Sequence, residues 1–438
     1  MSTTITVEHL ARIEGHAGIT VELEGKAVRS VRFEVFEGAR LLEGLLRGRS
    51  YQDVSQIISR ICAICSAAHS LTSLKATEDA FGVEASPQTH LLRDLLYRGE
   101  SIESHALHLF CLAVPDYLNY PSVVALAADH PDAAKLGLRL KKLGNTIQEV
   151  VGGRAVHPVN CIVGGFGALP AEDQLISLRR DLQQGMADCQ TAVEILASLP
   201  PADFCHTPTV FAALQPPIDY GYYHGNRIEM LPQGKANGGV TFAAADYRSF
   251  TNEKAVPHSH AKHSLFQGRP FMVGSLARVT ANREKLSDRA KKAIEKLALT
   301  LPSDNPMDNN KAQAVELVFD VEYALATVER LLNEGLKPER PVPVRPRAGT
   351  GTGVTEAPRG LLVHSYTYDD AGRIVSADVI TPTAMNAASI EHHFRCAAEQ
   401  AAADGHQALK KKLEMIARAY DPCVSCSVHL LRVKSYEL

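Results

Sequence analysis

The 438-residue sequence is poor in cysteine, nearly balanced in charge and without a long apolar run. Nine Cys fall far below the density of a disulfide scaffold, and an odd number leaves at least one thiol unpaired, which favours a reducing compartment. A formal net charge of −3 and a pI of about 6.7 give neither a basic groove for nucleic acid nor a face for an anionic membrane. No apolar stretch approaches the roughly 18 residues needed to cross a bilayer. The longest, around Ser122–Ala128 and Cys161–Leu169, are short, and glycine interrupts the second. The chain opens Met1-Ser2-Thr3-Thr4 without the basic or apolar region of a secretory signal, so it reads as soluble. The remaining composition, 45% hydrophobic and 22% charged, is globular and excludes a disordered chain, a collagen-like repeat and a coiled-coil rod. Length alone allows about three domains, or one large helical body with additions.

Residues 3–36 read as β, with Ala17–Glu24 and Val28–Phe36 alternating about the turn Glu24-Gly25-Lys26. From about residue 40 the apolar period becomes helical. It predicts helices over Tyr51–Ile61, Ser66–Phe81, Thr89–Ala113, Asp132–Val151, Ala171–Leu199, Arg278–Leu299, Lys311–Asn333, Ala387–Ala402 and His406–Ala419. Long helices recurring in this way predict a mainly α fold: a large multi-helix bundle core with small peripheral β elements. Residues 336–358, with five Pro and three Gly, read as a long loop, and a β pair follows at Leu361–Tyr368 and Ile374–Ile380. The expected organisation is an N-terminal β region over 1–50, a helical core with a first cysteine pair over 51–199, an irregular α+β insertion over 200–277, and a second helical core with a long functional loop and a second cysteine pair over 278–438.

The strongest chemical signal is two Cys-x-x-Cys motifs near opposite ends, Cys62-Ala63-Ile64-Cys65 and Cys423-Val424-Ser425-Cys426. Nine cysteines scattered at random would give about 0.2 such pairs. Two pairs supply four sulfurs, a set that suits zinc, an iron–sulfur cluster or nickel. A zinc ribbon joins its pairs by some 15–20 residues, whereas 357 residues separate Cys65 from Cys423. A structural zinc staples a small unit that cannot bury a core, and a chain this long has no such need. The spacing favours one buried catalytic centre shared by both motifs; a structural zinc and two unrelated motifs are the alternatives. Other features read as bland. Gly349-Thr350-Gly351-Thr352-Gly353 has no strand before it and no helix after it, so it is not a phosphate loop. Cys111, Cys161, Cys189, Cys205 and Cys396 read as buried small apolar residues, and His392-His393 as helix surface.

The neighbourhoods of the motifs carry more. Arg60-Ile61-Cys62-Ala63-Ile64-Cys65-Ser66-Ala67-Ala68-His69, Asp421-Pro422-Cys423-Val424-Ser425-Cys426-Ser427-Val428-His429 and Arg12-Ile13-Glu14-Gly15-His16 together resemble the large, catalytic subunit of nickel–iron hydrogenases. The resemblance runs in family order through Arg40–Arg49, Gly152–Pro158, Gly268-Arg269-Pro270, Val273–Arg278, Glu356–Gly360 and Thr381–Asn386. It implies an oxidoreductase that splits or forms H2 at a nickel–iron centre whose iron carries cyanide and carbon monoxide. Cys62 and Cys423 would be terminal thiolates on nickel, and Cys65 and Cys426 would bridge nickel and iron. Arg359 would stand over the open coordination position, paired with Asp421. Pro358 and Thr383 would line the pocket of the diatomic ligands, and His69 would donate to a thiolate. Glu14 would take the proton that heterolytic cleavage leaves on a terminal thiolate. Glu43, the backbone carbonyl of Val379 and His429 would hold a magnesium ion. The residues themselves also allow blander roles: Glu14 as an ion-pair partner of Arg12, Asp421 as a turn residue, Arg359 and Glu43 at the surface, and His69 as a satisfied core histidine.

The five other cysteines form no cluster, so electrons would leave through an iron–sulfur small subunit. Ser104 stands where many membrane-bound members carry an Asp near the arginine. Soluble, cofactor-linked members look similar here, which implies a cytoplasmic heteromeric complex with a flavin and iron–sulfur electron-transfer module. Members of the family are usually cut after the histidine of the second motif, yet Leu430–Leu438 follows His429 here. Two rival readings are the related quinone-reducing subunit of respiratory complex I, which lacks the four cysteines, and a zinc-stabilised scaffold.

Overall fold

The first cysteine motif leads directly into helix α1 (Ser66–Phe81), whose bounds match the sequence pattern. The computed structural model describes residues 2–25, 27–38, 41–232, 238–401 and 405–428. His429, the segment 430–438 and Arg40 therefore lie outside the described residues. Beside α1, helices α2 (Pro87–Leu107), α3 (Pro131–Gly152), α4 (Glu172–Ala197) and α5 (Asp308–Glu334) close a ring: α2 packs on α3, α3 on α4, α4 on α5, and α5 back on α2. Leu92, Leu96, Ile102, Ile147, Leu182 and Val321 fill this bundle with almost no exposed surface. Ser86 starts α2 by accepting from the Thr89 amide, with Pro87 at the first helical position. Helices α2 and α3 touch backbone to backbone at Gly144, where a Cβ would collide with the Glu103 amide and the Gly99 carbonyl. Helices α6 (Pro382–Ala401) and α7 (His406–Ala419) complete the helical body. Among the described residues no helix is long and apolar enough to cross a membrane.

The strands are peripheral. β1 (Ser2–Val7), β2 (Ala17–Glu24) and β3 (Ala27–Val35) form an antiparallel meander. Residues 210–272 hold β4 (Val210–Leu214), β5 (Arg227–Leu231), β6 (Val240–Ala243), the pair β7 (Lys254–Val256) and β8 (Ser259–His263), and β9 (Phe271–Met272). One sheet runs in the order β9-β4-β5-β6, with β9 parallel to β4. A last antiparallel sheet comprises β10 (Gly349–Ala357), β11 (Gly360–Tyr368) and β12 (Ile374–Ile380).

Four expectations need correction. Residues 349–357 are strand β10, not the end of a loop. Glycine weakens strands in general, but here it lets the strand lie against α1. A Cβ at Gly351 would overlap the Ala76 carbonyl and the Ala80 amide, and one at Gly353 would lie 2.5 Å from the Thr72 carbonyl oxygen. The expected helix over Arg278–Leu299 is two, Ser275–Asn282 and Asp288–Lys296, because Ser287 caps a new start by accepting from Ala290 N. The helix expected to run to Ala113 widens into a π-turn over His108–Ala113, ahead of Pro115, which has no amide hydrogen to give. Finally, His393 is fully buried against Tyr420 rather than on a helix surface, while Cys111 and Cys396 are only half-buried. The first correction is testable: Gly351→Ala should cost about 1–3 kcal/mol, because the obstruction is helix backbone that cannot move aside. A urea unfolding midpoint equal to that of the unsubstituted chain would refute this account.

Candidate metal centre

The two cysteine motifs meet although 361 positions separate Cys62 from Cys423. Cys62 lies at the end of a 3-10 turn (Ser59–Ile61), and Cys65 is the residue from which α1 starts. That start is fixed by Glu100 of α2, whose buried carboxylate accepts from Ala67 N at 2.6 Å and Ala68 N at 2.9 Å. The second motif is drawn in from the other side. Residue 423 bridges to residue 14 as a parallel pair, Val424 N donates to Glu14 O, and Cys423 N donates to the Thr383 hydroxyl at the start of α6.

The result is a buried cage of four free thiols. Cys62 Sγ lies 3.2 Å from Cys423 Sγ, Cys65 Sγ 3.4 Å from Cys426 Sγ, and Cys423 Sγ 2.7 Å from Cys426 Sγ. All four sulfurs fall within 4.8 Å of one another. Without a cation they cannot all ionise. Hydrogen bonds from Cys423, Cys426 and Cys65 hold the Cys62 thiol well below its ordinary range. The contact with Cys423 pushes Cys65 up, while burial pushes Cys423 up to about 11 and Cys426 well above its usual value. A soft divalent metal removes this conflict, since it favours the thiolate at every position.

Arg359 supplies the positive charge at the cage. It occupies the two-residue turn Pro358–Arg359 between β10 and β11, where Ala357 pairs with Gly360. Gly360 adopts φ 129°, and a Cβ there would strike Val273 and the Gly274 amide. Arg278 props the turn from behind, donating to Ala357 O at 2.9 Å and Pro358 O at 2.8 Å while its charge is met by Glu316 and Glu356. Arg359 Nη2 lies 3.0 Å from Asp421 Oδ1, and Nε donates to Asp421 O. Burial opposes the guanidinium charge, but Asp421 and the sulfurs of Cys423, Cys62 and Cys65 outweigh it and hold the group well above its ordinary value. The buried Nη1 has no hydrogen-bond partner among the described residues. An unspent donor beside a sulfur cage is what a group seated in the cage would use.

Most of the other residues named from the sequence lie in or against this cage. Glu14 accepts from Ser425 N at 3.0 Å and from the Ser425 hydroxyl, whereas Arg12 pairs with Asp116, so the Arg12–Glu14 ion pair is not made. His69 Nε2 is 3.8 Å from Cys426 Sγ, and burial lowers its pKa to about 4, so the ring is neutral. Glu43 stands apart, on the strand side, where its carboxylate accepts from Val379 N at 2.7 Å. Ser104 is fully buried on α2. Sequence reasoning missed His364 and Tyr366, which extend from His69 in a buried chain: His69 Nδ1 to His364 Nε2 at 3.0 Å, and His364 Nδ1 to the Tyr366 hydroxyl at 2.6 Å. It also missed Gln313, which steadies Asp421 at 3.1 Å. The signal for His364 and Tyr366 was present in the inward positions of β11, which read simply as core. Gln313 and Glu100 had none beyond being polar within an apolar helical pattern.

A buried cage of four thiols beside an arginine–aspartate pair defines a metalloenzyme whose centre is assembled from both ends of one chain. The model of the nickel-dependent hydrogenase family matches residues 40–151 and 214–429, and a HoxL-like model matches 4–37. The chain is 39% identical over 431 residues to the alpha chain of Sulfhydrogenase 1 from Pyrococcus furiosus, covering 98% of each. It is 31% identical over 417 residues to a chain of the F420-non-reducing hydrogenase vhu from Methanocaldococcus jannaschii, covering 90% of this chain and 98% of that one. A solved NAD+-reducing [NiFe]-hydrogenase in the H2-reduced state superposes with TM-score 0.87 at 25% identity, over 98% of this chain and 99% of the other. The chain belongs to the nickel-dependent hydrogenase family. It is the catalytic subunit of a [NiFe]-hydrogenase, an oxidoreductase acting on hydrogen.

Proposed function

We propose that Cys62 and Cys423 are terminal ligands to nickel and that Cys65 and Cys426 bridge nickel to an iron carrying cyanide and carbon monoxide. The observation that carries this reading is the convergence of four free, buried thiols, first with first and second with second. When bound, the pair supplies a redox centre with an open position at which hydrogen is split heterolytically. The chain's own residues do the rest. Arg359, charged and held by Asp421, presents Nη1 to a bound group. Thr383 keeps its hydroxyl proton for a cyanide nitrogen because its oxygen already accepts from Cys423 N. Pro358 closes the same pocket, and the neutral His69 donates to the Cys426 sulfur. Glu14 carries the proton away from the sulfurs, with Ser425 fixing its carboxylate. Magnesium, held by Glu43, the Val379 carbonyl and His429, fits the pairing of Glu43 with the Val379 backbone.

Electrons leave through an iron–sulfur small subunit, because among the described residues the other five cysteines do not gather into a metal-binding group. The likeness to an NAD+-reducing enzyme supports a flavin and iron–sulfur module beyond it, and a cytoplasmic location goes with that reading. Affinity capture of the chain from native cells tests these points together. The expected sample holds nickel and iron in equal amounts, shows infrared bands of metal-bound cyanide and carbon monoxide, and contains soluble iron–sulfur and flavin subunits. Zinc alone, with no such bands, would overturn the metal assignment. Recovery in membranes with a cytochrome would overturn the partner and location while leaving the metal assignment standing.

A further inference from the structure

A second constellation of metal-binding side chains lies outside the sulfur cage. His258, in the turn between β7 and β8, His263, at the end of β8, and Glu391, on α6, place one ligand atom each within 4.8 Å of the others. His258 Nε2 is 2.7 Å from Glu391 Oε1, and His263 Nδ1 is 3.8 Å from Glu391 Oε2. A tetrahedral zinc with ligand bonds of about 2.0–2.1 Å separates its donor atoms by about 3.3 Å, and the two observed distances bracket that value. We propose that His258, His263 and Glu391 form a site for a divalent transition ion of the zinc class, a clamp that fastens the β7–β8 pair to α6.

A simple ion pair accounts for less. His258 with Glu391 makes a complete hydrogen bond by itself, and Glu391 also accepts from Phe33 N at 2.8 Å. His263 is left over. Its side chain is only 10% exposed, its Nδ1 is beyond hydrogen-bond range of the carboxylate, and its buried Nε2 has no partner among the described residues. Nδ1 is the ring nitrogen that faces the carboxylate, and the 3.8 Å between them is a gap that an ion held by both would fill. Two borderline imidazoles beside a single carboxylate match zinc, cobalt(II) or nickel(II) rather than magnesium or calcium, which take all-oxygen sites. Both His258 and Glu391 remain about one-fifth exposed, so an ion can enter and a water can complete the sphere. The location gives the site a purpose. β8 packs on α6, on β3 and on the 3-10 turn of the second cysteine motif, so an ion here ties three neighbours of the catalytic cage together.

The test uses the purified complex with its nickel and iron in place, so that the cage is already filled. Added cobalt(II) is followed by its visible absorption and by competition with a chromophoric chelator, with nickel and iron measured in the same sample. The expected result is one further cobalt per chain, displaced by zinc, with the nickel and iron unchanged. His258→Ala and Glu391→Gln should each weaken this binding more than about ten-fold, the scale lost when even an outer partner of a metal ligand is removed. His260→Ala is the control: His260 lies on the same pair but bonds Glu37 O, and it should bind cobalt as the unsubstituted complex does. Because Glu391 also holds Phe33, its variant can fail through misfolding; His258 is the more exposed residue, and its variant decides the matter if circular dichroism is unchanged. No additional cobalt, cobalt only in place of nickel or iron, or equal binding by a folded His258→Ala complex would each overturn the site.

Discussion

Replacing any one of Cys62, Cys65, Cys423 or Cys426 with alanine abolishes hydrogen turnover and metal retention. The expectation follows from the cage rather than from any single bond. Each sulfur touches at least one other across the two motifs or within one, so removing one leaves a three-sulfur site with a void where a ligand stood. Nickel and iron content measured on the purified variants checks the result. Full turnover in any of the four would remove that residue from the centre. The loss should come without global unfolding, because none of the four helices of the ring carries one of these residues. Near-native circular dichroism with absent metal would separate loss of the site from loss of the fold.

The second large effect concerns the proton. Glu14→Gln preserves the shape of the side chain, and an amide can still accept from Ser425 N, but it cannot relay a proton. Turnover and hydrogen–deuterium exchange should fall by about two to four orders of magnitude, the range that a positioned acid or base contributes, while the infrared bands of the centre stay unchanged. Exchange at the original rate with intact bands would show that the proton leaves by another path. The buried chain from His69 through His364 to Tyr366 is then the alternative the geometry offers.

Much of this arrangement is legible in the sequence. The cysteine spacing points to one shared centre, and the Glu356–Gly360 segment with Asp421 points to the arginine pair that the hairpin tip makes. Helix periodicity finds α1 to the residue: Gly82 in the left-handed region ends it locally, while its start is held from α2 by Glu100. The misreadings share a cause. Gly349–Gly353 looks like loop because local propensity opposes a strand; only the close approach of α1, a tertiary fact, makes glycine the right residue there. His393 reads as surface because a pair of histidines is polar, yet Tyr420 at Nδ1 and Thr209 at Nε2 satisfy its ring in the interior. His364 and Tyr366 do not stand out, since a buried relay and a buried core leave the same alternating pattern on a strand.

The attachment of the second motif bears on what keeps the two pairs of sulfurs in register. Residues 423–428 are tethered largely through Glu14, Thr383 and the Thr381 hydroxyl, which donates to Cys426 O. None of these tethers belongs to the ring of long helices. Residues 423–428 are themselves buried, so two of the four sulfurs take their position from the N-terminal segment and the start of α6 rather than from that ring. Ser425 in turn holds the Glu14 carboxylate. The placement of two sulfurs and the placement of that carboxylate therefore rest on one set of contacts, and a change at residue 14 is felt at both.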